Sequence, residues 1–375
     1  MKVVIAIDSF KGSLSSIEAG NAVKEAVLRI DKNNTAVVRP LADGGEGTVE
    51  ALFKGLGGEM ASVSVTGPLG EKVTANYCIL NDKTAIMEMS AAAGITLVKR
   101  EELNPFNATT FGVGEMIKDA INKGCRSFIM GIGGSATNDG GVGMLTALGF
   151  EFLNEKGEKI PLGAKGLKTL KSIKCENALK ELRQCSFKIA CDVDNPLCGE
   201  KGCSRVFAPQ KGADEEMIAH MDLWLKSYAG ICKSTLGTDN ESFPGAGAAG
   251  GLGFAFKTFL NAELLKGVEI ILNETRLEEY IKEADLVITG EGRLDSQTVM
   301  GKAPIGVARL AKKYGKRVIA FAGCVTMDAE IINDHGIDAF FPILRGVVTL
   351  DEALNKENAY NNLSATAYQV LRLIK

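Results

Sequence analysis

Residues 131–149 read GIGGSATNDGGVGMLTALG, and the fold is read outward from them. The apolar run Ser127 to Met130 before them has the composition of a buried strand. Val142, Leu145 and Leu148 after them recur at helical spacing. A strand that passes through a glycine-rich turn into a helix is the repeating unit of an α/β sheet. Gly133, Gly134, Gly140 and Gly141 lack Cβ atoms, so the main chain can take positive φ and come close to a ligand. Successive amides and the helix N-terminus would favour an anion there. Ser135, Thr137 and Asn138 add hydrogen-bonding groups, and Asp139 either holds a hard cation or caps the helix. The alternative is a turn whose glycines only pack.

The composition narrows the class. A chain of 375 residues with 46% hydrophobic and 24% charged residues is expected to form two globular domains. A net charge of −3 gives no basic face, so nucleic acid is not an expected partner, and an anion would have to be held by local donors. The nine cysteines are odd in number and contain no CxxC pair, which points to a reducing, cytoplasmic setting with thiols as small apolar groups. Cys191, Cys198 and Cys203 lack zinc-finger spacing. With only His220 and His335, a histidine-centred nucleophilic triad is not expected. No apolar run approaches a membrane span, so no membrane partner is expected either.

Along the chain, Val3 to Ile7 has the continuous aliphatic pattern of a parallel strand buried on both faces, and it ends in Asp8-Ser9-Phe10-Lys11-Gly12. Ser15 or Ser16 caps the next helix, with Glu18 in its first turn. Ala36 to Val38 is a second strand. Asp43-Gly44-Gly45-Glu46-Gly47-Thr48 then opens a helix through Leu52 and Phe53. In an open α/β sheet, ligands bind beyond the carboxyl ends of the strands, where Asp8, Lys11, Asp43 and Glu46 fall.

The turn Thr66 to Gly70 changes the texture, because the following segment is hairpin-like: Val73 to Leu80, Asn81-Asp82, then Thr84 to Met89. A helix from about Thr110 to Lys123 and a strand Phe187 to Cys191 follow. That strand runs into Asp192-Val193-Asp194-Asn195-Pro196, either a magnesium or general-base site or an Asx turn before proline. Ala213 to Ile231 reads as an amphipathic packing helix. Gly245, Gly247 and Gly250 spell a literal GxGxxG, but polar turn formers precede it where a dinucleotide site needs a strand. It is read as a second glycine-rich helix start that closes over phosphates or substrate.

Near Asp285 the parallel pattern resumes with Leu286 to Ile288, which leads into Thr289-Gly290-Glu291-Gly292-Arg293-Leu294-Asp295 and on to Gly301-Lys302. A helix from Pro304 to Tyr314 and strands at Arg317 to Ala322 and Ala339 to Phe341 complete the series. The return of strand-helix-strand after a dissimilar middle implies an insertion. Residues 1–66 and 285–375 are expected to form one open sheet, and residues 67–284 a second α/β domain with a mixed sheet, with the active site in the cleft between them.

The glycine-rich and acidic turns supply what phosphoryl transfer needs: donors for phosphates, oxygen ligands for magnesium, cations for the transferred group and a carboxylate near the acceptor. Yet no G-x-x-x-x-G-K-[ST] occurs, since Ala303 follows Gly301-Lys302, and the protein-kinase motif set is missing too. The stretches AIDSFKGSLSS (from Ala6), LADGGEGT (from Leu41), GIGGSATNDGG, ACDVDNPL, FAPQKGA (from Phe207), GAGAAGGLG and TGEGRLDSQTVMGKAP closely resemble the bacterial type I glycerate kinase family, in order from Ala6 to Ala322. The resemblance implies a flavodoxin-like, doubly wound parallel-sheet domain interrupted by another α/β domain. It also implies an ATP- and Mg2+-dependent, cytoplasmic kinase of D-glycerate, with 2-phosphoglycerate favoured over 3-phosphoglycerate as product; the sequence leaves monomer or homodimer open.

Within that reading, Lys11 and Lys302 neutralise the transferred phosphate or the substrate carboxylate, with Arg293 as a weaker candidate. Asp192 or Asp194 binds magnesium, and Asp295 or Asp43 orients or deprotonates the acceptor hydroxyl. Asp8, Ser9, Glu46, Gly133, Gly134, Ser135, Thr137, Asn138, Gly247, Gly250 and Glu291 are the expected phosphate- and substrate-binding positions. The rival readings are a non-catalytic sensor of carboxylate or phosphate and, third, an NAD-dependent dehydrogenase.

Overall fold

The computed structural model describes residues 1–41, 53 and 56–374. Two compact units divide the chain, one of Met1–Gly57 with Val268–Lys375 and the other of Gly58–Gly267. The acidic turn read at Asp43 to Thr48 and most of the helix read after it lie outside the described residues, and with them Asp43 and Glu46.

The first unit opens with β1 (Lys2–Ile7) and β2 (Thr35–Val38), joined by the helix Ser16–Ile30. Five consecutive residues of β1 are buried, as a strand covered on both faces must be. Ser15 caps the helix in a reciprocal box with Glu18, which resolves the choice between the two serines. Ser16 instead donates to the Ile7 carbonyl at 2.6 Å and accepts from the Leu41 amide at 2.8 Å, tying together the carboxyl ends of both strands.

The second unit carries β3 (Glu59–Thr66), β4 (Lys72–Ile79), β5 (Thr84–Glu88), β6 (Ser127–Gly131), β7 (Glu151–Leu153), β8 (Ser172–Lys174), β9 (Ser186–Ala190) and β10 (Glu263–Leu265). Six of them form a sheet in the order β10-β9-β6-β5-β4-β3. Its β3-β4-β5 portion is antiparallel and the rest parallel, while β7 and β8 pair separately. This is the expected mixed sheet. Its core stacks Phe128 on Phe187 at 4.8 Å between ring centroids, among Met87, Ile117, Met130 and Ile189.

The chain then returns to the first unit with β11 (Leu286–Leu294), β12 (Arg317–Val325) and β13 (Ala339–Pro342). All neighbours in the order β2-β1-β11-β12-β13 are parallel. Counted within the unit this is 2-1-3-4-5, the flavodoxin-like doubly wound order, whose ligand crevice lies where the order reverses, outside the carboxyl ends of the first and third strands. Those strands are β1 and β11. Helices Ser16–Ile30 and Lys356–Ile374 share one apolar cluster with Val3, Ile5 and Ile7, and the helix Ala303–Lys313 packs on β1, β11 and β12.

The units divide after Gly57 and Gly267, not after residues 66 and 284 as read from the sequence. The eight residues of β3 pair antiparallel with β4, so the turn at Thr66 to Gly70 is the bend of a hairpin and not an interdomain link. From Val268 onward the chain packs on the first unit, with Val268 and Leu272 filling the space beside Gly306. A texture change in sequence marks where strands become antiparallel; partnership across the sheet is decided elsewhere. Among the described residues, no helix is long and apolar enough to cross a membrane.

Candidate functional site

In the first unit, the carboxyl ends of β1 and β11 gather charged groups. The Asp8 amide donates to the Gly290 carbonyl at 2.9 Å, extending the β1–β11 ladder, and the buried Asp8 carboxylate accepts the Ser9 amide at 2.6 Å. Lys11 lies in the tight turn Phe10 to Leu14, exposed to solvent. Its amide sits 3.3 Å from where a side chain on Gly292 would begin, so the glycine lets β11 pass close to that turn.

Beyond Gly292 the chain folds back on itself. Asp295 caps the short 3-10 helix Ser296–Met300, accepting the Gln297 amide at 3.1 Å, while the Thr298 hydroxyl reaches Glu291 Oε1 at 3.0 Å. Lys302 then opens the helix Ala303–Lys313, with Pro304 in the first turn as its missing N–H permits. The Lys302 Nζ stands 3.7 Å from Glu291 Oε2 and 3.6 Å from Asp295 Oδ1, and Arg293 Nε stands 3.3 Å from Asp295 Oδ2. Burial pushes the Glu291 carboxyl up to about 7; Lys302 and Thr298 oppose this, and the negative Asp8 and Asp295 add to it. A hollow of about 380 Å³ is lined by Arg293, Asp295, Ser296, Gln297 and Asp328.

In the second unit, the loop between β6 and the helix Val142–Ala147 has an exposed and a buried half. Gly133 and Gly134 are exposed, with no described residue within 4 Å of the Cβ position of the first. The Gly134 carbonyl accepts the Ile95 amide and the Ala136 amide donates to Ala93, which pins the loop beside the segment Ser90 to Ile95. Ser135, Thr137, Asn138 and Asp139 point inward and are buried.

Asp139 is buried among main-chain amides at the start of this helix, whose N-cap position is Gly141. Its carboxylate accepts the amides of Thr110, Gly141 and Gly143 at 2.9, 3.1 and 3.2 Å and the Thr110 hydroxyl at 2.9 Å. The helix has only six residues, and its first amides already face this internal anion. An external anion therefore does not take the helix end; the exposed glycines Gly133 and Gly134 are what the loop offers.

Lys211 lies beneath the same loop, fully buried, and donates to Ser135 Oγ at 2.7 Å and to the Thr137 carbonyl at 2.6 Å. Burial lowers its ammonium to about 8, against the opposing influence of Cys203 and Asp139. Asn138 donates to Ser204 Oγ at 2.9 Å. The hydroxyl of Thr137 and the Oδ1 of Asn138 are buried without a hydrogen-bond partner among the described residues. Lys211 and Thr298 were missed as site residues in the sequence, although each stands inside a quoted motif. Nothing in the local pattern says that a lysine will be buried under a loop 74 to 76 residues away.

The glycines of the GxGxxG segment pack against protein main chain. A side chain on Gly250 would meet the Thr137 carbonyl oxygen at 2.1 Å, and one on Gly247 would meet that of Pro196 at 2.3 Å. The Gly140 amide donates to the Gly250 carbonyl at 2.9 Å and the Gly247 amide to Asn195. Residues 238–244, before this segment, are irregular chain and turns and not a strand, in keeping with the reading against a dinucleotide fingerprint. The close approach those glycines permit is to the loop at Thr137, not to a phosphate.

Asp192 and Asp194 follow β9 as exposed carboxylates two residues apart. Asp192 Oδ1 accepts the Gly267 amide at 3.0 Å, so part of its role is to hold a helix start. Among the described residues no three His, Cys, Asp or Glu side chains are grouped to hold a metal. A magnesium ion that keeps its waters and arrives on phosphates needs only one or two carboxylates, and the hard oxygens of this pair suit that mode. All nine cysteines are free thiols.

A flavodoxin-like sheet with a lysine–carboxylate cluster near the switch point of its strand order, in a chain with an inserted mixed-sheet unit, defines an α/β protein with a charged crevice. Residues 3–375 match the model of the glycerate kinase family. The chain is 49% identical to Glycerate 2-kinase of Escherichia coli (strain K12) over 364 residues, 97% of this chain and 95% of that one. It is 46% identical to Glycerate kinase of Haemophilus influenzae, covering 100% and 99% of the two. A crystal structure described as glycerate kinase 2 from Salmonella typhimurium LT2 superposes with a TM-score of 0.92 at 45% identity, covering 100% of this chain and 98% of that one.

The chain belongs to the glycerate kinase family, and with it to the ATP-dependent kinases.

Proposed function

We propose that this enzyme transfers the γ-phosphoryl group of MgATP to a hydroxyl of D-glycerate, with 2-phosphoglycerate as the product. The observation that carries the reading is the cluster of Lys302, Glu291 and Asp295 at the end of β11, in a chain that matches the glycerate kinase family over residues 3–375. The regiochemistry is supported by the name of the Escherichia coli relative, Glycerate 2-kinase. Free thiols throughout are consistent with work in the cytoplasm.

Phosphoryl transfer has little covalent chemistry for a protein to supply, so positioning and charge do most of it. Lys302 and Lys11 neutralise the transferred group or the substrate carboxylate, helped by Arg293. Asp295 keeps Lys302 and Arg293 in place through contacts of 3.6 and 3.3 Å. Asp8 and Ser9 are the expected substrate-contacting positions of the first unit and the exposed Gly133 and Gly134 those of the second, whereas Ser135 is taken up by Lys211; Asp43 and Glu46 lie outside the described residues. Thr137, Asn138, Gly247 and Gly250 hold the loop's shape from behind. Asp192 or Asp194 takes magnesium, which would offset the negative charge of the phosphates when bound.

The test is a coupled assay for ADP release on adding D-glycerate and MgATP, with phosphorus NMR of the product. Glycerate-dependent ADP and a 2-phosphoglycerate resonance are expected. Release of no ADP would point to the sensor reading, and a 3-phosphoglycerate resonance would overturn the regiochemistry alone.

A further inference from the structure

We infer that Glu291 is the catalytic base, the carboxylate that takes the proton of the acceptor hydroxyl as the phosphoryl group arrives. The inference rests on the kinase reading above and names a role that the sequence reading had given to Asp295 or Asp43.

The geometry separates the two carboxylates of the cluster. Asp295 is committed through Oδ1, which accepts the Gln297 amide at 3.1 Å and stands 3.4 Å from the Thr298 hydroxyl, while Oδ2 forms an ion pair with Arg293 Nε at 3.3 Å. Taking a proton there would loosen the cap of the 3-10 helix that leads to Lys302. Glu291 is held differently. The Thr298 hydroxyl fixes Oε1 at 3.0 Å, while Oε2 has Lys302 Nζ at 3.7 Å, beyond hydrogen-bond reach. One oxygen orients the group, and among the described residues the other meets only the ammonium of Lys302, at ion-pair distance, and can take a proton.

Placement agrees. Glu291 belongs to β11, which borders β1 at the topological switch point of the sheet, where open α/β folds bind their ligands. Its side chain is 13% exposed, so it is shielded from bulk water without being sealed off. Charged groups face it from three directions: Asp8 from the end of β1, Asp295 from the 3-10 helix, and Lys302 from the helix after it. Burial and the two negative neighbours bring the carboxyl up to about 7, near the pH where a base is both ionised and able to hold a proton.

The step balances. The hydroxyl oxygen of D-glycerate forms a bond to the γ-phosphorus, the bond from that phosphorus to the β,γ-bridging oxygen breaks, and ADP leaves with the electron pair. The hydroxyl proton passes to Glu291 Oε2 and then to water.

The experiment compares wild type, Glu291→Gln and Glu291→Asp in the ADP-release assay from pH 5.5 to 9, with KM for both substrates at each pH. Glutamine keeps the acceptor for Thr298 but cannot take the proton. The expected result is a kcat lower by about 10²- to 10⁴-fold with KM values little changed, and loss of the acidic limb that wild type shows near pH 7. Glu291→Asp should retain an acidic limb at a displaced pH, a result that a merely structural role would not give. A Glu291→Gln enzyme with near-normal kcat, or with the wild-type acidic limb intact, overturns the inference. An inactive wild type would instead overturn the kinase reading.

Discussion

The ammonium of Lys211 donates to the main-chain oxygen of Thr137 across 2.6 Å, joining a buried cation to the inner side of the glycine-rich loop. A second bond to Ser135 Oγ at 2.7 Å makes it a two-point brace. Lys211→Met should leave both oxygens without that donor and lower stability by about 1–3 kcal/mol in urea denaturation. The native ammonium sits near 8, below its ordinary 10.5. Between those values the unfolded chain binds the extra proton, so this group adds stability as pH rises from about 8 to 10.5. The gap between wild type and Lys211→Met should therefore widen over that window, and a gap independent of pH would show that the lysine is not buried as a cation.

Two glycines of the second unit should respond oppositely to alanine. At Gly250, φ is +65° and a methyl group would meet the Thr137 carbonyl oxygen at 2.1 Å, so Gly250→Ala should cost more than about 3 kcal/mol or prevent folding. At Gly133, no described residue lies within 4 Å of the added methyl, and Gly133→Ala should stay within about 0.5 kcal/mol of wild type. If Gly133 lets a substrate approach, its variant should lose activity at an unchanged melting temperature. Activity equal to wild type would remove Gly133 from the binding surface.

Glu291 also predicts a stability profile. Its native carboxyl is raised to about 7 from an ordinary value near 4.5. Stability that depends on its bound proton is present in full below about 4.5 and lost as pH rises through 7. Glu291→Gln, which stays neutral, should melt at a higher temperature than wild type at pH 8, and the difference should shrink toward pH 4.5. A difference that grows on acidification would contradict the burial of this carboxyl.

The flavodoxin-like unit was legible because its signals are local. The run Val3 to Ile7 is apolar on both faces, and Asp8 just past β1 and Glu291 in the last part of β11 sit where such a sheet binds ligands. The capping of the first helix was readable to within one residue, since Ser15 and Glu18 lie three apart. The domain limits were less legible, because whether β3 joins β4 depends on pairing across a hairpin and not on composition.

The candidate site divides along the same line. Lys302, Asp295 and Glu291 are neighbours in sequence, and the reading already grouped them. The destination of Asp139 among the amides of Thr110, Gly141 and Gly143, and the packing of Gly250 on Thr137, join segments about 30 and 110 residues apart.

The sequence by itself determined the alternation of strands and helices, the membership of the kinase family and the residues available for chemistry, because these follow from side-chain period and from motifs contiguous in the chain. Only the tertiary structure decided which glycines meet protein and which meet solvent, which carboxylate is tied down and which keeps an oxygen for a proton, and that Lys211 is buried. Burial and hydrogen-bond partnership arise when distant segments exclude water together, and no local stretch encodes the segment that will cover it.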